Sequence, residues 1–322
     1  MADPSPPSFW QRFRPRRPLP PPPPPVPQAA FAAWPAAALP FDLTYSPDGR
    51  WLAVASDIGV DLYDVTTHQN VLHRAVASGV DHLVFLADGQ TLALAIDDGT
   101  NQLWQVPEGR LLRELPRSAG LAFSRDAQVM ALGFGDGRIQ IWAGADGPLL
   151  HTLQAPKRQD AWRVHLTADG QFLVSVSDYR TLLLWRVADG QRIATLQDPH
   201  QQFAERLGGV AFAPDGQSVL AATGEQVRRW RVPDGAQLAS LRAPSWMICV
   251  AVAPDSQRVA TGLNDGMVVL WDVADQRPVA RFAGHTDWVQ AVAFAADGRT
   301  LASTSRDSTV RLWEIPERST EI

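Results

Sequence analysis

Seven copies of one turn-and-strand unit predict an all-β fold: a seven-bladed β-propeller of four-stranded antiparallel blades, with a disordered proline-rich N-terminal tail. Three observations carry this expectation. An Asp-centred turn recurs seven times, and an aromatic residue follows each turn at a nearly constant distance. Between turn and aromatic, apolar and polar residues alternate with the period of two that strands require. Length alone would divide 322 residues into about two domains, but a repeat of this kind makes a single ring.

In chain order, residues 1–27 come first. They hold twelve of the 26 prolines, six of them in the run Pro20 to Pro25. Proline has no N–H to donate, so this segment is expected to be extended polyproline II or disordered rather than part of a sheet. The propeller is expected over residues 28–318, and residues 319–322 as a short C-terminal tail. Near its start, Ala29 to Trp34 is apolar and alanine-rich. It is the candidate to complete the last blade, which lacks a fourth strand of its own after Trp313.

The repeating units begin at Phe41. The first turn reads Ser46-Pro47-Asp48-Gly49, and its counterparts centre on Asp88, Asp126, Asp169, Asp215, Asp255 and Asp297. Asp bonds the turn's own backbone and Gly accepts positive φ, which is the chemistry of hairpin turns. The aromatic anchors are Tyr63, Trp104, Trp142, Trp185, Trp230, Trp271 and Trp313, spaced by 41, 38, 43, 45, 41 and 42 residues. Two strands separate turn from anchor; Thr91 to Ala95 exemplifies the first and Ile139 to Trp142 the second. After each anchor but the last, a second turn such as Val106 to Gly109 leads into a fourth strand such as Leu111 to Leu115.

Some of these residues resemble a known family. Trp271-Asp272, the variants Tyr63-Asp64 and Trp313-Glu314, and Gly284-His285 ahead of the last unit are similar to the signature pairs of WD-repeat proteins. The resemblance spans about residues 28–318. It implies a polar tetrad in the last blade: His285, Ser303 (or Ser305), Asp307 and Trp313 in one hydrogen-bonded chain. A buried indole N–H and imidazole need such partners. An Asp six residues before the anchor recurs as Asp57, Asp98, Asp136 and Asp265, and Thr261 offers a hydroxyl in the sixth blade. Tyr179 and Gly224 stand at that Asp position in blades four and five. Most blades lack the histidine and are expected to rest on apolar packing. The family likeness also implies that the loops entering each innermost strand and those holding the tetrad Asp share one face, the upper.

That face holds the expected partner-binding rim. Trp246 and Trp288 each lie nine residues before their turn Asp, and Asp160 and Arg206 occupy the same register in blades four and five. Trp162 follows Asp160 by two residues, while Asn264, Arg306 and Asp97 each precede a tetrad-position Asp. Exposed Trp and Arg are enriched at binding hot spots, so a protein or peptide partner is expected here. The entering loops at 155–160 and 198–206 are the longest, which points to blades four and five as the docking sector. The alternative is that Trp246 and Trp288 merely plug the channel mouth.

Other chemistries find little support in the sequence. Gly133 to Gly137 superficially resembles a phosphate-binding glycine loop, but it falls on a blade turn and precedes a strand, not a helix. His68 and His73 have no cysteine partner and no zinc spacing, and no nucleophile elbow or calcium loop occurs. His165 and Asp81 fall on innermost strands, where a propeller enzyme or small-molecule sensor would keep its channel residues. The innermost strands are otherwise mostly Val, Ala and Leu, so no catalysis, metal or cofactor is expected. The single cysteine, Cys249, lies in an apolar run and reads as a packed thiol in a cytoplasmic protein. No signal peptide or membrane-spanning run is present.

Charge is uneven. Residues 1–27 carry four arginines against Asp3, a charge of +3, which leaves −8 on the rest of a chain of net charge −5. An acidic body disfavours nucleic acid, whose binding needs basic surface. In the tail, Arg17-Pro-Leu-Pro-Pro resembles a ligand for Src-homology-3-type domains, although a stiff spacer explains the prolines as well. Ser8 to Arg14 mixes aromatic and cationic residues, so weak attachment to an anionic membrane competes with a plain solvated tail.

Overall fold

The computed structural model describes residues 30, 32–36, 38–156, 161–177, 181–196, 207–238, 240–243 and 245–317. These form seven four-stranded antiparallel sheets, with no α-helix among the described residues. Strand β1, Ala32–Pro35, stands apart from its sequence neighbours. Blade one is β2 Pro40–Tyr45, β3 Trp51–Ser56, β4 Gly59–Asp64 and β5 Gln69–Ala75; blade two is β6 Val80–Phe85, β7 Thr91–Ile96, β8 Asn101–Gln105 and β9 Arg110–Leu115. Blade three is β10 Gly120–Phe123, β11 Met130–Gly133, β12 Arg138–Trp142 and β13 Leu149–Gln154; blade four is β14 Ala161–Leu166, β15 Phe172–Ser177, β16 Thr181–Arg186 and β17 Arg192–Leu196. Blade five is β18 Leu207–Phe212, β19 Ser218–Thr223, β20 Gln226–Arg231 and the short β21 Leu241–Arg242. Blade six is β22 Met247–Val252, β23 Arg258–Leu263, β24 Val268–Asp272 and β25 Arg277–Phe282; blade seven has β26 Val289–Phe294, β27 Thr300–Ser305 and β28 Thr309–Glu314.

Blade seven takes its fourth strand from the other end of the chain. β1 pairs antiparallel with β28, placing Ala32 opposite Leu312 and Pro35 opposite Thr309. The closing strand therefore sits slightly later than the Ala29 to Trp34 segment expected from sequence. Ala30 packs against the apolar cluster between blades six and seven, and Ala29 lies outside the described residues.

The turns explain the local folding. In all seven first turns the Asp carboxylate accepts the N–H two residues on, at 2.9–3.0 Å, as in Gln90 to Asp88 and Gln171 to Asp169. The intervening residue has positive φ every time. Five of those residues are glycine; Ala127 and Ser256 take the same left-handed conformation at φ 57°. A register shift precedes five anchors, for example between Leu62 and Tyr63 and between Leu270 and Trp271. Such a bulge re-aims the side chain that follows it.

No single core exists. The buried apolar residues fall into seven clusters, one in each gap between neighbouring blades, including the gap between seven and one. The anchors lie in these gaps; six are buried, and Trp142 is partly exposed. No helix of the described residues is long and apolar enough to cross a membrane.

Candidate functional site

Three places gather polar or exposed aromatic side chains: the last blade's tetrad, the channel wall and the upper rim. In the tetrad, Trp313 Nε1–H donates to Ser303 Oγ at 2.8 Å, and Ser303 Oγ lies 2.7 Å from His285 Nε2. His285 Nδ1 lies 2.9 Å from Asp307 Oδ2. One tautomer satisfies every group: Nδ1 carries the proton toward the carboxylate, and Nε2 accepts the Ser303 hydroxyl. Ser305 stands outside this chain, since its hydroxyl donates to Asp287 O at 2.9 Å. Burial pushes the imidazole pKa down, against the pull of Asp307. For Asp307, burial alone would raise the carboxyl pKa. The bonds from Thr309, Thr286 and His285 outweigh it and hold that pKa below the usual carboxylate range.

Elsewhere the tetrad breaks into pieces. Trp185 donates to Ser175 at 3.0 Å and Trp271 to Thr261 at 2.9 Å, with no imidazole beyond either hydroxyl among the described residues. Asp98, Asp136 and Asp265 accept the N–H of Thr100, Arg138 and Met267, so they cap their own turns. In blade six Ala243 stands where blade seven has its histidine, and Asp265 instead accepts the hydroxyl of Ser245 at 2.6 Å. Tyr179 lies outside the described residues.

The channel wall holds polar groups that one sequence pattern did not single out. Asp42, His82, Arg163 and Cys249 share a register six residues before the turn Asp. Asp42 Oδ2 lies 2.6 Å from His82 Nδ1 and accepts Leu83 N–H at 3.1 Å. Arg163 Nη1 donates to Gly208 O at 3.2 Å, and Cys249 Sγ contacts Val289 O at 3.6 Å. Asp42, Arg163 and Cys249 thus each reach from one blade to a backbone group on the innermost strand of the next, while His82 reaches back to Asp42. These are ties between blades. The equal spacing from the turns could have revealed them.

His165 is the exception. It meets His82 edge-on, with ring centroids 6.3 Å apart, across the third blade. Gly120 and Ala122 of β10 are small enough to let the two rings meet there. His165 Nε2 is shut off from solvent and has no partner among the described residues. Burial, then the neighbouring His82 and Arg163, pushes its pKa down to about 3, so the ring is neutral at physiological pH. At the channel mouth Asp81 lies above the ordinary carboxylate range, through partial desolvation and the nearby Asp97. Burial lifts the Cys249 thiol to about 12, which leaves it unreactive. No group of three His, Cys, Asp or Glu among the described residues could hold a metal ion.

On the upper rim, Trp246 is 51 % exposed and Trp288 38 %. Their backbones are held alike: Asn264 N–H donates to Trp246 O at 3.0 Å, and Arg306 N–H to Trp288 O at 2.9 Å. The Arg306 guanidinium carbon lies 4.3 Å from the Trp288 ring centroid. Leu39, Phe41 and Ile58 of blade one are exposed on the same face. Sequence reading missed all three, although Leu39 shares the register of Trp246 and Trp288, nine residues before Asp48. Asp160 and Arg206 lie outside the described residues, as does most of the two long loops; β14 is placed, but the Trp162 side chain is not described. Within the described residues the exposed apolar groups of this face therefore gather on blades six, seven and one.

A family model, the WD domain, G-beta repeat, matches residues 235–272 and 276–314. A comparison with curated proteins finds no match. The second matched segment begins just ahead of β25, the outer strand of blade six, and continues through β26, β27 and β28 of blade seven. Sequence repeat and blade are thus offset by one strand, which is why β1 must close the ring. Two matched repeats, set in a ring whose other five blades have the same four-stranded build, support a WD-repeat propeller family for this chain.

Proposed function

We propose that this propeller is a non-catalytic scaffold of the cytoplasm that binds a protein or peptide partner on its upper rim. The observation that carries the reading is the exposure of two indoles, Trp246 and Trp288, on backbone-anchored turns of adjacent blades. Side chains of this size are ordinarily buried, and neither one packs into the gaps between blades. Leu39, Phe41 and Ile58 extend the apolar area onto blade one. A stiff ring loses little entropy when such a face docks. The single cysteine, buried and unpaired, supports a reducing compartment. The tail's Arg17-Pro-Leu-Pro-Pro run would supply a second contact, with a proline-motif-binding domain.

Affinity capture from cells of the source organism tests this. Wild-type protein should retain a partner that the Trp246→Ala, Trp288→Ala, Arg206→Ala triple variant loses while its melting midpoint stays within a few degrees. Undiminished capture by the folded triple variant rejects the rim. Capture that depends on residues 1–27 alone would assign the contact to the tail.

A channel sensor or enzyme is the second reading, favoured by the unpartnered His165 beside His82. The scaffold is preferred because Asp42 and Arg163 are engaged in tying blades together. Stoichiometric zinc or calcium in the purified protein would reverse that preference.

A further inference from the structure

Blades six and seven present the same turn with one difference. In each, a tryptophan ends the loop entering the innermost strand, and its carbonyl accepts the N–H of the residue before the tetrad-position Asp. In blade seven that residue is Arg306, and its guanidinium lies over the Trp288 ring at 4.3 Å. In blade six it is Asn264, which is uncharged and too short to cover an indole. Trp246 is accordingly the more exposed of the pair, and no cation of the described residues stands over it.

Carboxylates lie on the turns to either side of Trp246. On one side lies the Gly224-Glu225 turn of blade five, held by Met247 N–H to Gly224 O at 2.7 Å and Ala243 N–H to Glu225 O at 3.0 Å. On the other lies Asp265, which accepts the hydroxyl of Ser245, the residue next to Trp246. The Asn264-Asp265-Gly266 turn packs so closely on the entry loop of blade seven that a Cβ on Gly266 would collide with His285 O. Asp287 lies on that loop, beside the same turn. Glu225, Asp265 and Asp287 are exposed. An open indole face with carboxylates around it attracts a cation, through the ring quadrupole and through charge.

We infer that Trp246 receives an arginine or lysine side chain from a basic segment of a partner protein, in the position that Arg306 takes on Trp288. This rests on the rim reading above and adds the chemical identity of the partner's anchor. Contact with a membrane or nucleic acid is not implied, since both present anions to these carboxylates.

The probe is a short peptide of alternating glycine and arginine, with a citrulline-for-arginine peptide as neutral control, titrated into the full-length chain at low ionic strength. The arginine peptide should bind and the control should not. Trp246→Leu should weaken binding about fivefold or more. Asn264→Arg copies blade seven, so it should cover Trp246 from within and weaken binding as much without lowering the melting midpoint. Arg306→Asn should uncover Trp288 and tighten binding. Equal binding by Trp246→Leu, or by the citrulline peptide, overturns the inference. If wild type fails to bind but a variant with Arg12, Arg14, Arg16 and Arg17 all changed to Gln does bind, the occupant is the chain's own tail and an external partner is refuted. A natural partner that is lost on replacing Trp246 and Trp288, yet is not displaced by the arginine peptide, would leave the rim reading standing and remove the cation.

Discussion

A single hydroxyl decides the fate of each buried indole. Ser175, Thr261 and Ser303 each lie ten residues before their anchor, and each accepts the indole N–H. Where that position holds Leu132 or Leu220, Trp142 and Trp230 have no partner among the described residues; where it holds Leu94, Trp104 turns to Gln102 at 2.9 Å. A buried leucine contributes about 1.5–3 kcal/mol, comparable to the cost of an unsatisfied indole, so both solutions persist in one chain. Ser175→Ala strands one group and should cost about 1–3 kcal/mol, whereas Ser303→Ala strands Trp313 and His285 together and should cost about twice that in urea unfolding. Trp271→Ala, which empties a blade gap, should cost about 3–5 kcal/mol. His165 supplies a pH signature. Its folded pKa is depressed below the unfolded value, so the unfolded chain binds the extra proton as pH falls. The stability this gives is complete above the ordinary histidine range and is lost on acidification toward about 3. Between the histidine and carboxylate ranges, His165→Leu should flatten the slope of stability against pH by up to about 1.4 kcal/mol per unit. An unchanged slope would show that the ring titrates freely.

At the scale of the element, the first turn of each blade is the most regular feature. Asp caps it and the next residue is left-handed, so the chain reverses within four residues and the register of the inner pair is set locally. Ala127 and Ser256 adopt this conformation without glycine's freedom. Ala127→Gly should therefore raise stability by about 0.5–1 kcal/mol, the relief of strain exceeding the entropy added to the unfolded chain. Ser256→Gly should be near neutral, because the Ser256 hydroxyl also accepts Asp215 N–H at 3.1 Å and ties blade six to blade five. Equal gains at both sites would remove that tie from the account. The turns and anchors were legible in the sequence because their chemistry is local. The ties at Asp42, Arg163 and Cys249 left only a shared register ahead of the turns, without their partners, since each acts on a backbone group about 40 residues away.

The whole molecule is held by seven gaps of equal standing, so cohesion depends on the ring being closed. Strand β1 performs the closure, and Trp34 on it stacks on Tyr63 of blade one at 5.1 Å and meets His68 edge-on at 5.6 Å. Trp34 thereby supplies the aromatic bulk that the smaller anchor Tyr63 leaves unfilled. Trp34→Ala should lower stability by about 2–4 kcal/mol. Removal of residues 1–27 should leave the melting midpoint unchanged, whereas removal through Ala36 should expose the edge of β28 and cause aggregation. A truncation through Ala36 that stays monomeric and stable would show that the ring closes by other means.

From the sequence alone came the number of blades, their strand order and the position of every anchor. Each of these depends on hydrogen bonds and sterics acting within some forty residues of chain, where spacing is a faithful record of contact. Tertiary structure alone decided which tryptophans face solvent, that His82 and His165 meet, and that Arg306 covers one indole while Asn264 leaves its twin open. These outcomes arise between blades: Gly120 and Ala122 make room for two imidazoles that belong to other repeats, and the closing of the ring brings blade one beside blade seven. Contacts made across a ring leave no period in the chain to be read.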